Sequence, residues 1–182
     1  LMEPVFDITD ESFPHMSFVQ GKLGGFPVRV YRISFSGELS YEIATPSGLG
    51  LSLWKALMDA GDDAGIAPYG TEALHILRAE KGYIVVGDET DGTTTPDDVG
   101  LGGMVSKKKA DFSGKRSLEQ SELKRAGRKQ LVGLLTEEPS AVLPDGAHAV
   151  AAVHDKPPLK TIGHITSSYL SPTFVLSFAM DT

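Results

Sequence analysis

Beyond Gly127 the chain consists of four short strand-like runs, KQLVGLLTEE, AHAVAAVHD, KTIGHITSSY and TFVLSFAM, separated by Pro, Gly and Ser. Runs of this length at such close spacing predict a small antiparallel sheet or part of a β-barrel. Ahead of Gly127 the pattern is different, because strands and amphipathic helices are mixed. The expected fold is therefore α+β, with an α+β unit over 1–127 and a β unit over 128–182. Residues 1–25 are rich in Pro, Gly and acid, with apolar anchors at Val5, Phe6, Ile8 and Phe13, and read as a lead-in with one short strand or turn.

The stretch FPVRVYRISFS, bounded by Gly25 and Gly37, has the β-branched and aromatic content of a strand. It runs into SFSGELSYEI, Ser34 to Ile43, which reads as strand, tight turn and strand. A three-residue loop, Gly37-Glu38-Leu39, pairs Phe35 with Tyr41 and Ile33 with Ile43 on one face. A two-residue loop would set Ile33 opposite Glu42 and waste an apolar position. The favoured register leaves Ser34, Glu42 and Arg32 on the other face, with Arg32 diagonal to Glu42.

Two helices follow. LGLSLWKALMDAG spaces Leu51, Trp54, Leu57 and Met58 along one side and stops at Gly61. TEALHILRAEKG, from Thr71 to Lys81, carries Leu74 and Leu77 on one stripe beside Ala73 and Ile76, with Arg78 and Glu80 near the other flank. YIVVG reads as a short strand. TTTPDDVG has a helix-start signature: Thr95 as cap, Pro96 in first position, then Asp97 and Asp98. A further helix is expected over Lys115 to Lys124, closed by Gly127.

Hydrophobic residues make up 41% and charged residues 23%, the composition of a folded soluble chain. A net charge of −7 argues against a nucleic-acid partner, although SKKKADFSGKR, Ser106 to Arg116, gathers five cations. Absence of cysteine excludes disulfides, thiolate metal sites and cysteine nucleophiles. No apolar run approaches the roughly 20 residues of a membrane span and no signal peptide opens the chain, so no membrane contact and a cytoplasmic location are expected. Leucine at position 1 and an apolar run near the end suggest a piece of something longer.

Familiar catalytic patterns are missing: there is no phosphate-cradling glycine loop, no HExxH and no serine between glycines. The five histidines lack ligand spacing and read as packed or surface residues, so no metal is expected. Glu42 stands out. Its plain reading is a strand residue paired with Arg32; its functional reading is an acceptor for the two parallel N–H groups of a planar amide-plus-amine heterocycle. Arg78 and Glu80, two apart, do not face each other, and the common fate of such residues is to pack the stem on the sheet and bond a loop. GDETDGTTTP does not match a calcium loop and reads as a capped loop.

The segments SFSGELSYEI, LWKALMDAG, PYGTEALHILRAEKG, TTTPDDVGLG, DFSGKRSL and IGHITSSYLSPT, in this order from about Val28 to Thr182, resemble the aminomethyltransferase family of the glycine-cleavage T-protein. FPHMSF, PYGTEAL and HITSSY are most similar to the family branch of heterotetrameric sarcosine oxidase alpha subunits. The resemblance implies a ferredoxin-like α+β unit followed by an incomplete antiparallel β-barrel, with a tetrahydrofolate pocket walled partly by this chain. It implies that sarcosine is oxidatively demethylated and the one-carbon unit passed to tetrahydrofolate. Glu42 matches the pterin-binding glutamate, and Arg32 and Phe35 flank it. FAD, FMN and NAD belong to other regions or subunits, which are the implied protein partners. The family's catalytic aspartate lies in an N-terminal unit outside this sequence, so no catalytic residue is assigned here.

Departures from the T-protein pattern are Phe35 for a tyrosine, Leu74 for a folate-binding arginine and His75 for an aspartate. They suit the sarcosine oxidase branch, and leave as rivals a module that has lost its ligand and serves subunit contacts, or part of a dimethylglycine oxidase-like enzyme.

Overall fold

The computed structural model describes residues 12–181 apart from Gly24, Asp155 and Val175; the lead-in anchors Val5, Phe6 and Ile8 lie outside these residues. The chain divides into two compact units, Leu1–Leu77 and Arg78–Thr182. It is an α+β protein with one antiparallel sheet in each unit.

In the first unit, strands β1 (Phe18–Leu23), β2 (Phe26–Tyr31) and β3 (Glu42–Ala44) form a sheet of order β1-β2-β3. Side chains alternate across it. Val19, Leu23, Phe26, Val28, Val30 and Ile43 pack with Phe13, Tyr41, Leu53 and Leu57 into one core. The Phe13 and Tyr41 rings stack 6.1 Å apart and 8° from parallel. Phe18, Gln20, Arg29, Tyr31 and Glu42 take the opposite parity, fixed by the pairs Phe18–Tyr31, Gln20–Arg29 and Tyr31–Glu42.

This register corrects the expected one. Ile43 lies opposite Val30, not Ile33, and the β2–β3 ladder ends at Tyr31–Glu42. Residues 32–41 form a connection without strand pairing to β3, in which Gly37 adopts φ +82° and Ser36 is buried. Beyond Tyr31 the backbone bonds toward the first strand instead, with Arg32 N–H donating to the Ser17 carbonyl at 3.0 Å. The physical reason is burial. Pairing with Val30 sets Ile43 on the face already held by Val19 and Val28, over Phe13 and Leu53.

Helix α1 (Gly50–Gly61) buries Leu53 and packs Leu57, four residues on, against the same core. The expected stripe is thus rotated, since Leu51 and Trp54 are exposed. A three-stranded sheet covers one narrow line of a helix, and here that line is Leu53–Leu57.

The helix is followed by a tight turn over Asp62–Ala64. There Gly65 N–H bonds the Asp62 carbonyl at 2.9 Å and Ile66 N–H the Gly61 carbonyl at 3.0 Å, with Gly65 at φ +72°. This is a Schellman stop, and the left-handed residue is Gly65, not the expected Gly61. Gly61 is needed for a different reason: a Cβ there would lie 2.7 Å from Cβ of Ile66. Gly61→Ala is expected to destabilise the first unit by about 1–3 kcal/mol, the usual cost of overpacking, read as a lowered midpoint in denaturant unfolding.

Helix α2 (Thr71–Glu80) spans the division between the units, its last three residues belonging to the second. In that unit strands β4 (Val132–Leu135), β5 (His148–Val150), β6 (Thr161–Ser171) and β7 (Leu176–Asp181) form an antiparallel sheet of order β4-β7-β6-β5. Each strand overlaps one of the four predicted runs, β6 and β7 continuing past the ends of theirs to Ser171 and Asp181. The described strands form an open sheet rather than a closed barrel. Because β7 lies between β4 and β6, the last strand is not an edge of the sheet. The edges are β4 and β5.

Two expected helices are shorter. Thr95–Leu101 completes its cap, with Thr95 N–H and Oγ1 donating to Asp98 Oδ2 at 2.7 and 2.8 Å. It then stops after one turn, where Leu101 N–H reaches the Pro96 carbonyl and Gly100 sits at φ +73°. Helix α3 covers Lys115–Leu118 alone. Leu118 and Leu123 are five apart, about 140° around a helix, so a continuous helix would split them. Turns bring both to the wall of one hollow.

Candidate functional site

Glu42 opens β3 opposite Tyr31, and its side chain is exposed. Next to it on that face lies an aromatic and cationic group assembled by β1 and β2. The Phe18 and Tyr31 rings are 5.9 Å apart, Arg29 stands 5.8 Å over the Phe18 ring, and Arg29 Nη1 donates to Tyr31 Oη at 3.1 Å. The Gln20 amide oxygen, turned toward Arg29, accepts from its guanidinium as well. Phe18 is 60% exposed. A carboxylate beside flat rings, open to solvent, can accept two N–H bonds from a planar heterocycle that stacks alongside.

The other predicted neighbours of Glu42 are placed differently. The register that made Arg32 its diagonal neighbour does not form, and Arg32 Nη1 donates to the Phe13 carbonyl at 2.8 Å. Phe35 lies in the β2–β3 connection, at the margin of exposure. On α2, Leu74 is half-buried, and the buried Nδ1 of His75 has no hydrogen-bond partner among the described residues. Sequence reasoning missed Arg29 and Tyr31. The signal was present, since the alternation in FPVRVY puts both on the face opposite Val28 and Val30.

In the second unit, Arg78 and Glu89 are 0% and 2% exposed. Arg78 Nη1 donates to Glu89 Oε2 at 2.9 Å and to the Tyr83 carbonyl at 3.1 Å, while Nη2 donates to Ser167 Oγ at 2.7 Å. Ser167 Oγ in turn donates to Glu89 Oε1 at 2.5 Å, and Val85 N–H donates to Oε2 at 2.7 Å. The last turn of α2, the following loop and β6 are thereby clamped. Glu80 accepts from Ser171 Oγ at 2.5 Å. These side chains bond loops and sheet as expected, but Arg78 is wholly interior. The GDETDGTTTP segment is a capped loop, where Asp91 Oδ1 accepts from Thr93 N–H at 2.7 Å and from the hydroxyls of Thr93 and Thr94.

A second ion pair joins Asp98 to Arg128, whose Nε donates to Oδ1 at 2.9 Å and whose Nη2 reaches Oδ2. That guanidinium is the main reason the Asp98 carboxyl lies below its ordinary 3.8, at about 2; bonds from Thr95 add to the effect and burial opposes it. The sign follows: with the folded value depressed, the stabilisation is complete above about pH 4 and fades as pH falls toward 2. Arg128→Met is expected to flatten stability against pH over that window, measured by urea unfolding at stepped pH.

Among the described residues no group of three or more His, Asp or Glu could hold a metal ion, and no helix is long and apolar enough to cross a membrane. An apolar hollow of about 690 Å³ lies over β4 and β7, lined by Leu131, Leu135, Phe174, Phe178 and Met180.

Residues 1–109 match the family model described as the GCVT N-terminal domain. The chain belongs to the GCVT family. This GCVT-family chain is 46% identical to the sarcosine oxidase subunit alpha of Corynebacterium sp. (strain P-1) over 177 residues, covering 96% of the chain and 18% of that relative. An aminomethyltransferase of Halothermothrix orenii is 35% identical, with 95% of the chain and 46% of the relative covered. The mitochondrial dimethylglycine dehydrogenase of Rattus norvegicus is 33% identical, with 95% and 20% covered. The chain thus spans less than a fifth of the sarcosine oxidase relative. The crystal structure of glycine cleavage system aminomethyltransferase T from Bartonella henselae superposes with a TM-score of 0.69 at 28% identity, over 85% of this chain and 41% of that one.

Proposed function

We propose that this GCVT-family chain is the tetrahydrofolate-binding part of a sarcosine oxidase alpha subunit, which oxidatively demethylates sarcosine and transfers the one-carbon unit to tetrahydrofolate. The observation that carries the reading is the exposed Glu42 carboxylate on an open sheet face, directly across from Tyr31 and next to the Arg29–Phe18 pair. Similarity to a sarcosine oxidase alpha subunit over 96% of the chain supports the choice of branch. Glu42 accepts from the pterin's ring N–H and amino group, and the aromatic pair beside it supplies a stacking surface. Arg32 and Phe35, in the connection leading to β3, belong to the margin of this site. FAD, FMN and NAD chemistry resides in other regions or subunits, the partner subunits complete the enzyme, and the setting is cytoplasmic. The family's catalytic aspartate lies outside this sequence, so the chain binds but does not turn over by itself.

Titration of the chain with tetrahydrofolate under anaerobic conditions, followed by calorimetry, tests the reading. Saturable one-to-one binding is expected. A flat titration by both the chain and the full-length subunit would rule it out. The rival, a subunit-contact module without ligand, is favoured by the apolar Phe35 and Leu74; it predicts no heat with folate.

A further inference from the structure

We propose that the segment Met104–Leu118 is a docking surface for an acidic protein segment that carries an apolar anchor. Charge is segregated along this chain. Five cations and one acid give Met104–Leu118 a charge of +4, so the rest must hold −11 for the total to be −7. Three nearby cations are used internally: Lys124 pairs with Glu119, Arg125 with Glu122 and Arg128 with Asp98. Lys115 is spent on the Ala110 carbonyl. Lys107, Lys108, Lys109 and Arg116 are exposed, and their side chains make no hydrogen bond or ion pair among the described residues. Four unneutralised cations on an acidic protein form a local attractive field for carboxylates.

Beside Lys109 lies a hollow of about 580 Å³ whose apolar walls are Met104, Phe112, Leu118 and Leu123. Met104 is 77% exposed at its rim. The cations and this hollow together fit carboxylates flanking one aliphatic side chain. Buried apolar anchors with a charged rim are the usual anatomy of a protein interface. A long nucleic acid is disfavoured, because its charge extends past the patch into the field of the remaining −11. None of this depends on folate binding.

The test is fluorescence anisotropy of three labelled probes with the chain: a short glutamate peptide with one central leucine, its all-glutamate counterpart, and duplex DNA of similar charge. The leucine peptide is expected to bind more tightly than either other probe. Reversal of three exposed charges (K107E/K108E/K109E), with an unchanged circular-dichroism melt as folding control, should weaken it at least tenfold. Met104→Ser should bring the two peptides to equal affinity. Equal binding by the triple variant, equal affinity of the two peptides for the parent chain, or tighter binding of DNA would each overturn the proposal.

Discussion

Arg78→Met alone is expected to lower the stability of the second unit by about 3–5 kcal/mol, measured by urea unfolding, because it strands Glu89 in the interior. Glu89 is 2% exposed and takes its three bonds from Arg78, Ser167 and the Val85 N–H. Without the guanidinium, a carboxylate remains with two neutral donors and no opposite charge. Glu89→Gln should cost a comparable amount, since Arg78 at 0% exposure then loses its counter-charge, with Asp88 no nearer than 3.8 Å. Replacing both partners with apolar residues of similar size should cost far less than either single change, as the desolvation penalties vanish together. A double-mutant cycle therefore decides the role of the pair. Additive losses would show that Arg78 and Glu89 act independently and that the clamp is misassigned.

Glu42→Gln is expected to weaken tetrahydrofolate binding by roughly ten- to a hundredfold, about 1.5–3 kcal/mol, the scale of a charge-assisted hydrogen bond. The amide has the same size, but presents an N–H₂ where the ring also presents a donor. One of two parallel bonds becomes a clash of donors, and the other loses its charge assistance. Since Glu42 is exposed, its replacement should leave thermal stability within about 0.5 kcal/mol, which separates a binding role from a structural one. Tyr31→Ala, across the strand pair, should weaken binding by a smaller factor through lost stacking. Unchanged affinity in Glu42→Gln would remove Glu42 from the site, even if the chain binds folate by other residues.

Local pattern made much of this architecture legible. The four runs after Gly127 correspond to β4 through β7, and the two amphipathic segments to α1 and α2. Helix ends were less legible: Gly65, not Gly61, stops α1, and the cap at Thr95 opens a single turn. A cap signature reports how a helix could begin. Continuation requires helical backbone at every step, and Gly100 at φ +73° ends it after one turn. Arg78 illustrates the same limit from the other side. Nothing in LRAEKG distinguishes a solvated arginine from one that meets Glu89 and Ser167, respectively 11 and 89 residues away.

The sequence by itself determined which residues alternate and which repeat at helical spacing, because those periods are properties of the backbone. It therefore determined the α+β class and placed Glu42 and Arg29 in strands. Which strand residue faces which was decided by the tertiary structure alone. Ile43 could satisfy itself locally against Ile33, but the larger apolar area over Phe13, Val28 and Leu53 lies against Val30. That long-range burial set the register, and with it the company that Glu42 keeps.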